Sequence, residues 1–387
     1  MKKRIFISTG EVSGDLQGAL LVEALHRQAD KLGLELEILA LGGDRMAAAG
    51  AKLLGHTTGI GSLGTIENLP YVLPTMKIQR QAKQFLRQNP PDLFVMIDYS
   101  DPNISIGLYA RKHLPQVPTV FFIAPQEWVV AITEQKTEWI VDISDRILSI
   151  FPQEAKYYAE KGAHTVFVGH PMVDRMQHAP GRDSARKTLG IPPEQTVIAL
   201  FPASRQQEIK YMLPVIFQAA KQIQKTLPDV QFLIPLSLER YRSAIEQGIS
   251  YYGLNARLLQ SGSPLNAIAA ADLAITKSGT VNLEIALLEV PQVVMYRVSP
   301  FTAWVARKIL KLNIPFMSPP NLVPMKAIVP EFLQDEATPE TIANAALELF
   351  EPERRQRMIE DYREMKRSLG DVGVCDRAAV EMLKMLA

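Results

Sequence analysis

Short apolar runs alternate with amphipathic stretches along nearly the whole chain. Arg4 to Ser8, Glu35 to Leu41, Leu93 to Ile97, Thr119 to Ile123, Arg146 to Ile150 and Thr165 to Val168 each read as a buried strand. Val197 to Phe201, Gln231 to Pro235, Ala256 to Leu259, Leu273 to Thr276 and Gln292 to Tyr296 form a second set. Such alternation predicts parallel sheets covered by helices. The polar stretch Gln177-His-Ala-Pro-Gly-Arg-Asp183 separates the sets, placing a boundary near residues 175 to 185. Thr338 to Phe350 and Glu353 to Leu386 have helical spacing, the latter long enough to reach back over the first domain. The expectation is an α/β protein with Rossmann-like domains at 1–178 and 179–360 and a C-terminal helix at 361–387 returning to the first domain.

Two such domains sharing a cleft put the ligand at the carboxyl ends of their strands, where both sets of loops meet. The polar motifs do follow strands: Gly10-Glu-Val-Ser-Gly-Asp15, Gly42-Gly43-Asp44, Asp98-Tyr-Ser-Asp-Pro-Asn103, Pro202-Ala-Ser-Arg-Gln-Gln-Glu208 and Lys277-Ser-Gly-Thr280. In the last, Leu273 to Ala286 reads as strand, tight turn and helix. Ser278 or Thr280 can cap that helix, and Gly279 lets a ligand approach the backbone, which makes an anion seat. Glu284, one turn beyond Thr280, can accept hydrogen bonds from a sugar diol. An ordinary capped helix with a solvated Glu fits the same residues.

In the first loop, Gly10, Gly14 and Gly18 lack the spacing of the dinucleotide fingerprint. Ser13 and Asp15 can cap a helix beginning near Gly14 or line an acceptor site; Glu11 has no capping role and is a binding candidate. Asp98 and Asp101 follow a buried strand, and Pro102 is expected to keep Asp101 out of helical geometry and both carboxylates at a cleft mouth. Burial there would raise a carboxylate pKa toward neutrality, as a general base for a hydroxyl proton requires. Asn103 can cap a helix starting at Ile104. Arg205 can grip a diphosphate bidentately, or pair with Glu208 at i, i+3. His170 reads as structural more readily than as a cleft residue.

Composition narrows the classes. The 387 residues are 47% apolar and 21% charged with a formal net charge of +1, so no global field favours nucleic acid. The single cysteine, Cys375, excludes an intramolecular disulfide and a multi-thiolate metal site, and points to a reducing compartment. Six scattered His and the lack of an Asp-x-Asp triplet predict chemistry without a metal or other cofactor. Met1 to Ser8 lacks an adequate apolar core for a signal peptide and reads as a first strand, and no run is long enough to span a membrane. Around Leu63 to Ile78, however, Ile66, Leu69, Val72, Leu73 and Met76 crowd a segment that two prolines should keep from being one regular helix. Lys77, Arg80 and Lys83 follow, and a basic-edged apolar patch of this kind can lie on a bilayer. Phe301 to Lys311 mixes apolar and basic faces in the same way, and packing into the core is the competing role for both segments.

Taken in order, Ser8-Thr-Gly-Glu-Val-Ser-Gly-Asp15, Gly42-Gly-Asp-Arg-Met46, Ile97-Asp-Tyr-Ser-Asp-Pro-Asn103, Ala124-Pro-Gln-Glu-Trp128, Phe167-Val-Gly-His170, Pro202-Ala-Ser-Arg205, Ser278-Gly-Thr280 with Glu284, Tyr296-Arg with Pro300-Phe-Thr302, Pro320-Asn-Leu322 and Val329-Pro-Glu-Phe-Leu-Gln334 resemble the lipid-A-disaccharide synthases. Each motif is weak and the ordered set is specific. The resemblance implies a GT-B glycosyltransferase, two Rossmann-like domains facing a central cleft, at the cytoplasmic face of the inner membrane. It implies transfer of 2,3-diacylglucosamine from its UDP derivative to 2,3-diacylglucosamine 1-phosphate (lipid X). Carried over by position, Asp98 or Asp101 is the base and Asn103 belongs to the same motif. Glu11, Ser13 and Asp15 line the acceptor loop, while Arg205, Ser278, Gly279, Thr280, Glu284, Asn321 and Gln334 fall on the donor side. A homodimer stays open.

The chain departs from the family at Ser100-Asp101-Pro102-Asn103, Trp128-Val-Val130 and Ser318-Pro-Pro-Asn321, which bears on acyl preference and acceptor fit. The competing readings are another UDP-sugar enzyme, namely a peptidoglycan-precursor transferase or a UDP-N-acetylglucosamine epimerase, and a nucleotide-sugar-binding protein without chemistry.

Overall fold

The structure, a computed structural model, describes residues 2–58, 69–129, 134–260, 264–304 and 316–386. The chain forms two compact units, Met1–Asp174 with Leu369–Ala387, and Arg175–Ser368. The crossing thus falls at Asp174 instead of 178, and the returning segment starts at Leu369 instead of 361. Helix Pro352–Ser368 stays with the second unit because Tyr362 is buried there, its hydroxyl accepting from Gln292 Nε2 at 3.2 Å, and Arg355 donates to Asp272 O at 2.7 Å.

The first unit holds β1 (Lys2–Ser8), β2 (Glu35–Gly42), β3 (Lys52–His56), β4 (Leu93–Ile97), β5 (Thr119–Phe122), β6 (Arg146–Ser149) and β7 (Thr165–Phe167). Their order is β3-β2-β1-β4-β5-β6-β7, with all pairs parallel. β4 is buried along its whole length, and Phe6, Phe94, Met96, Phe121 and Ile147 form the core beneath one face. The order reverses between β1 and β4, where Ser8 lies opposite Met96, so the loops after these two strands adjoin.

The second unit holds β8 (Val197–Phe201), β9 (Gln231–Pro235), β10 (Ala256–Leu259), β11 (Leu273–Lys277), β12 (Gln292–Tyr296) and β13 (Glu331–Leu333), in the order β10-β9-β8-β11-β12-β13. Here the reversal is between β8 and β11, with Thr276 opposite Phe201, and the Pro202 and Ser278 loops leave side by side.

β3 and β13 were not expected. Both are edge strands, and neither carries a fully buried residue, so no apolar run announces them. Nor do the prolines break the segment after the first loops: one helix runs Leu69–Gln88 through Pro74. Pro70 sits in the first turn, where its missing N–H has no intrahelical use, and Pro74 forfeits one bond on an exposed face. The long C-terminal helix is instead two, Pro352–Ser368 and Val374–Leu383, parted at Gly370 and Gly373, whose φ of 84° and 90° favour glycine. Asp174 caps the second of these from far back in the sequence, accepting from Gly373 N at 2.7 Å, Val374 N at 3.1 Å and Cys375 N at 2.8 Å. Among the described residues no helix is long and apolar enough to cross a membrane.

Candidate active site

In the first unit the loops after β1, β4 and β5 carry four non-glycine residues at positive φ: Glu11 at 59°, Asp98 at 47°, Tyr99 at 51° and Ile123 at 61°. Each costs about 1–3 kcal/mol, most for a β-branched Ile, and persists only where neighbours over-determine it. The bracing is visible. Asp98 N donates to Ile123 O at 3.0 Å. Asn103, fully buried, donates from Nδ2 to Asp98 O at 2.6 Å, Ile97 O at 3.1 Å and Ser8 O at 3.2 Å, and accepts from Ser8 Oγ at 2.7 Å. A Cβ on Gly10 would lie 2.5 Å from the Tyr99 ring, so only glycine allows that ring its place. Burial raises the Tyr99 pKa, opposed by a hydrogen bond with Thr75 and assisted by the Glu11 charge.

Glu154 supports the same loops from below, accepting from Ala124 N at 3.2 Å, Ile150 N at 2.9 Å and Phe151 N at 3.3 Å. Burial pushes its pKa up to about 8 against those three amides, and the charge of Asp98 adds to the rise. Tyr158 OH donates to Pro125 O at 2.7 Å.

Several expectations change here. Helix Ser100–His113 takes in Asp101, Pro102 and Asn103, because proline is tolerated in a first turn; Asn103 therefore caps nothing and ties three strand-end carbonyls together. Neither carboxylate is buried. Asp98 is exposed, and the Asp101 side chain is 85% exposed, its Oδ1 2.9 Å from Lys136 Nζ, which also stands 3.5 Å from Glu127. Helix Glu11–Lys31 begins earlier than expected, so Ser13 and Asp15 lie inside its first turns and cap nothing there. Asp15 is buried and accepts from Gly43 N at 2.8 Å, Met46 N at 3.1 Å and Arg45 N at 3.2 Å, which spends its carboxylate on the second loop instead of on a ligand. His170 is a core residue: Nδ1 accepts from Met172 N at 3.1 Å, and burial lowers its pKa to about 3.

In the second unit Arg205 precedes helix Gln206–Tyr211, and Glu208 Oε2 folds back on Arg205 N at 3.0 Å and on the Ser204 amide and hydroxyl. The Arg205 guanidinium is 3.9 Å from Glu208 Oε1, and Lys277 Nζ is 3.4 Å from the same oxygen. Lys277 carried no expectation of its own, since nothing in the sequence pairs it with a residue so far upstream.

Neither Ser278 nor Thr280 caps helix Val281–Leu287. Ser278 Oγ donates to Met317 O at 2.6 Å, and Asn282 closes the turn, accepting from Gly279 N at 2.7 Å and donating to Lys277 O at 3.2 Å. Glu284 is not solvated: it is 5% exposed and lies 3.1 Å from Arg175. Asn321 does not offer its amide to a ligand. It is buried, donates to Val329 O and Glu331 Oε2 at 3.0 Å and accepts from Ile328 N and Val329 N at 2.8 Å, which uses its capacity. Gln334 turns the chain after β13 at φ 52°, half-buried, with its carbonyl accepting from Arg297 Nε at 2.8 Å.

Known proteins place this architecture. The family model for lipid-A-disaccharide synthetase, LpxB, matches residues 5–384. The chain is 58% identical over 381 residues to the lipid-A-disaccharide synthase of Gloeothece citriformis, covering 98% of this chain and 99% of that one. It is 52% identical to that of a Synechocystis species, covering 98% and 97%. Among solved structures, S. aureus MnaA with UDP superposes with a TM-score of 0.67 at 16% identity, covering 100% of this chain and 98% of the other. The calicheamicin glycosyltransferase CalG4 superposes at 0.59 and 18%, covering 100% and 98%. At such identities these structures speak for the fold alone, two parallel-sheet α/β domains of the GT-B kind, and leave an epimerase reading without sequence support. The chain belongs to the lipid-A-disaccharide synthase family and is a glycosyltransferase of lipid A synthesis.

Proposed function

We propose that the chain transfers 2,3-diacylglucosamine from its UDP derivative to the 6-hydroxyl of lipid X with inversion and without a metal ion, with Asp98 as the base. The observation that carries the assignment is the braced, left-handed backbone at Asp98 and Tyr99, which presents an exposed carboxylate at the reversal point of a parallel sheet. Asp101, held by Lys136, is the weaker candidate. Glu11 and Ser13 remain acceptor-side candidates; Arg205, Ser278, Gly279, Thr280, Glu284 and Gln334 remain donor-side ones, with Glu284 sharing its charge with Arg175. Purified protein given synthetic UDP-diacylglucosamine and lipid X should yield a disaccharide phosphate and UDP by mass spectrometry. A product without a new glycosidic bond would overturn the reading.

The acceptor is a lipid, and helix Leu69–Gln88 supplies a surface suited to one. Val72, Leu73 and Met76 are 44%, 76% and 61% exposed, and Lys77 and Arg80 follow on the exposed side. Ile66 and the Leu69 side chain lie outside the described residues, as do residues 305–311 of the second amphipathic segment, in which Phe301 and Trp304 are exposed. The protein sits on the anionic cytoplasmic membrane surface through this helix. Exchanging Val72, Leu73 and Met76 together for serine should cut co-sedimentation with anionic vesicles by tenfold or more, since each buried apolar side chain contributes about 1.5 kcal/mol or more. Unchanged sedimentation excludes the patch.

A further inference from the structure

Lys277, at the end of β11, is a buried cation whose contacts among the described residues fall short of its donor capacity. It is 8% exposed, and its ammonium has three protons to donate. Its contacts with the described residues are long: 3.3 Å to Ser278 O and 3.4 Å to Glu208 Oε1, against about 2.7–2.9 Å for a charge-assisted bond. Glu208 is committed elsewhere, because Oε2 fixes the Ser204 and Arg205 amides, while Oε1 is buried and receives no hydrogen bond from the described residues. That oxygen faces two cations, Lys277 at 3.4 Å and Arg205 at 3.9 Å. One carboxylate thus holds two positive groups in position without binding either closely. Room for the ammonium depends on Gly279, where a Cβ would fall 2.9 Å from Lys277 Nζ. The three groups come from the end of β11 and from the turn and helix that follow β8, at the reversal of strand order, where parallel sheets take their ligands.

We infer that Lys277 binds the diphosphate of the nucleotide-sugar donor, with Glu208 as the residue that positions it. The inference rests on the UDP-sugar reading above. As the acceptor oxygen bonds to C1, its proton goes to Asp98 and the C1–O bond to the β-phosphate breaks, leaving its electron pair on the diphosphate. Lys277 takes no part in the proton transfer, and its contacts shorten as that charge grows, which is where preorganised cations act most strongly.

Titration calorimetry with UDP and with uridine tests this on the wild type, Lys277→Met and Lys277→Arg. Lys277→Met should weaken UDP by roughly 10- to 100-fold and leave uridine within about twofold, and Lys277→Arg should recover most of the loss. Because removing the lysine strands a buried carboxylate, the pair Lys277→Met with Glu208→Gln is measured as well, and it should show the same selective loss in a folded protein. Lys277→Met binding UDP like the wild type overturns the inference, and so does an equal loss of UDP and uridine with a lowered melting temperature. If the wild type itself fails to bind UDP, the UDP-sugar reading falls first, which separates that failure from a failure of Lys277.

Discussion

Asp98→Asn is expected to lower turnover by about 10²–10⁴-fold, the usual contribution of a positioned general base, with UDP affinity unchanged. The substitution is chosen for the backbone. Asn is among the few residues that accept a left-handed conformation readily, so the φ of 47° at this position persists and only the proton acceptor is lost. Asp101→Asn serves as the internal comparison. Its carboxylate is 85% exposed and paired with Lys136 at 2.9 Å, an arrangement worth at most about 1 kcal/mol, so turnover should stay within a few-fold. Initial rates with both lipid substrates, alongside UDP titration, decide the matter. A collapse in Asp101→Asn with full activity in Asp98→Asn would transfer the assignment to Asp101.

Asn103→Ala is expected to cost about 2–4 kcal/mol of stability and at least tenfold in kcat, while the KM for the donor holds. A fully buried amide that bonds both Ser8 and the carbonyls of Ile97 and Asp98 joins β1 to β4 where Asp98 is mounted. Without it, Ser8 Oγ loses its acceptor and the Asp98 peptide loses its 2.6 Å restraint. Thermal melts and steady-state kinetics at a temperature where the variant is fully folded separate the two effects. Wild-type kcat under that condition would show that Asn103 serves the fold and not the carboxylate.

Buried strands were legible from the chain because each is a short, bounded apolar run. Leu93–Ile97, Val197–Phe201, Gln231–Pro235 and Gln292–Tyr296 have the limits their patterns predict. Lys52–His56 and Glu331–Leu333 were not, since an edge strand needs no continuous buried face. At the candidate site the polar residues were legible as a set after strands, but their partners were not. Asp15 is a good helix cap by type, yet it serves amides at residues 43 to 46. Asn321 has the chemistry of a ligand contact, yet Glu331 and the 328–329 backbone take all of it. A side chain's local preference says what it can bond; only the fold says which partner arrives first. The same limit hid Lys277, whose meaning depends on a carboxylate from helix Gln206–Tyr211.

The capping of helix Val374–Leu383 by Asp174 spans 199 residues between Asp174 and Gly373. Because the first unit takes Leu369–Ala387 as its last part, it cannot be completed until the whole of Arg175–Ser368 has left the ribosome. Synthesis therefore imposes an order: the second unit, contiguous in sequence, can close first, while the first waits with an unfinished face. Native contacts of such sequence separation slow folding and prolong exposure of apolar surface. The unit that carries Asp98 is thus the later to mature during translation, and the one with the longer window for misfolding.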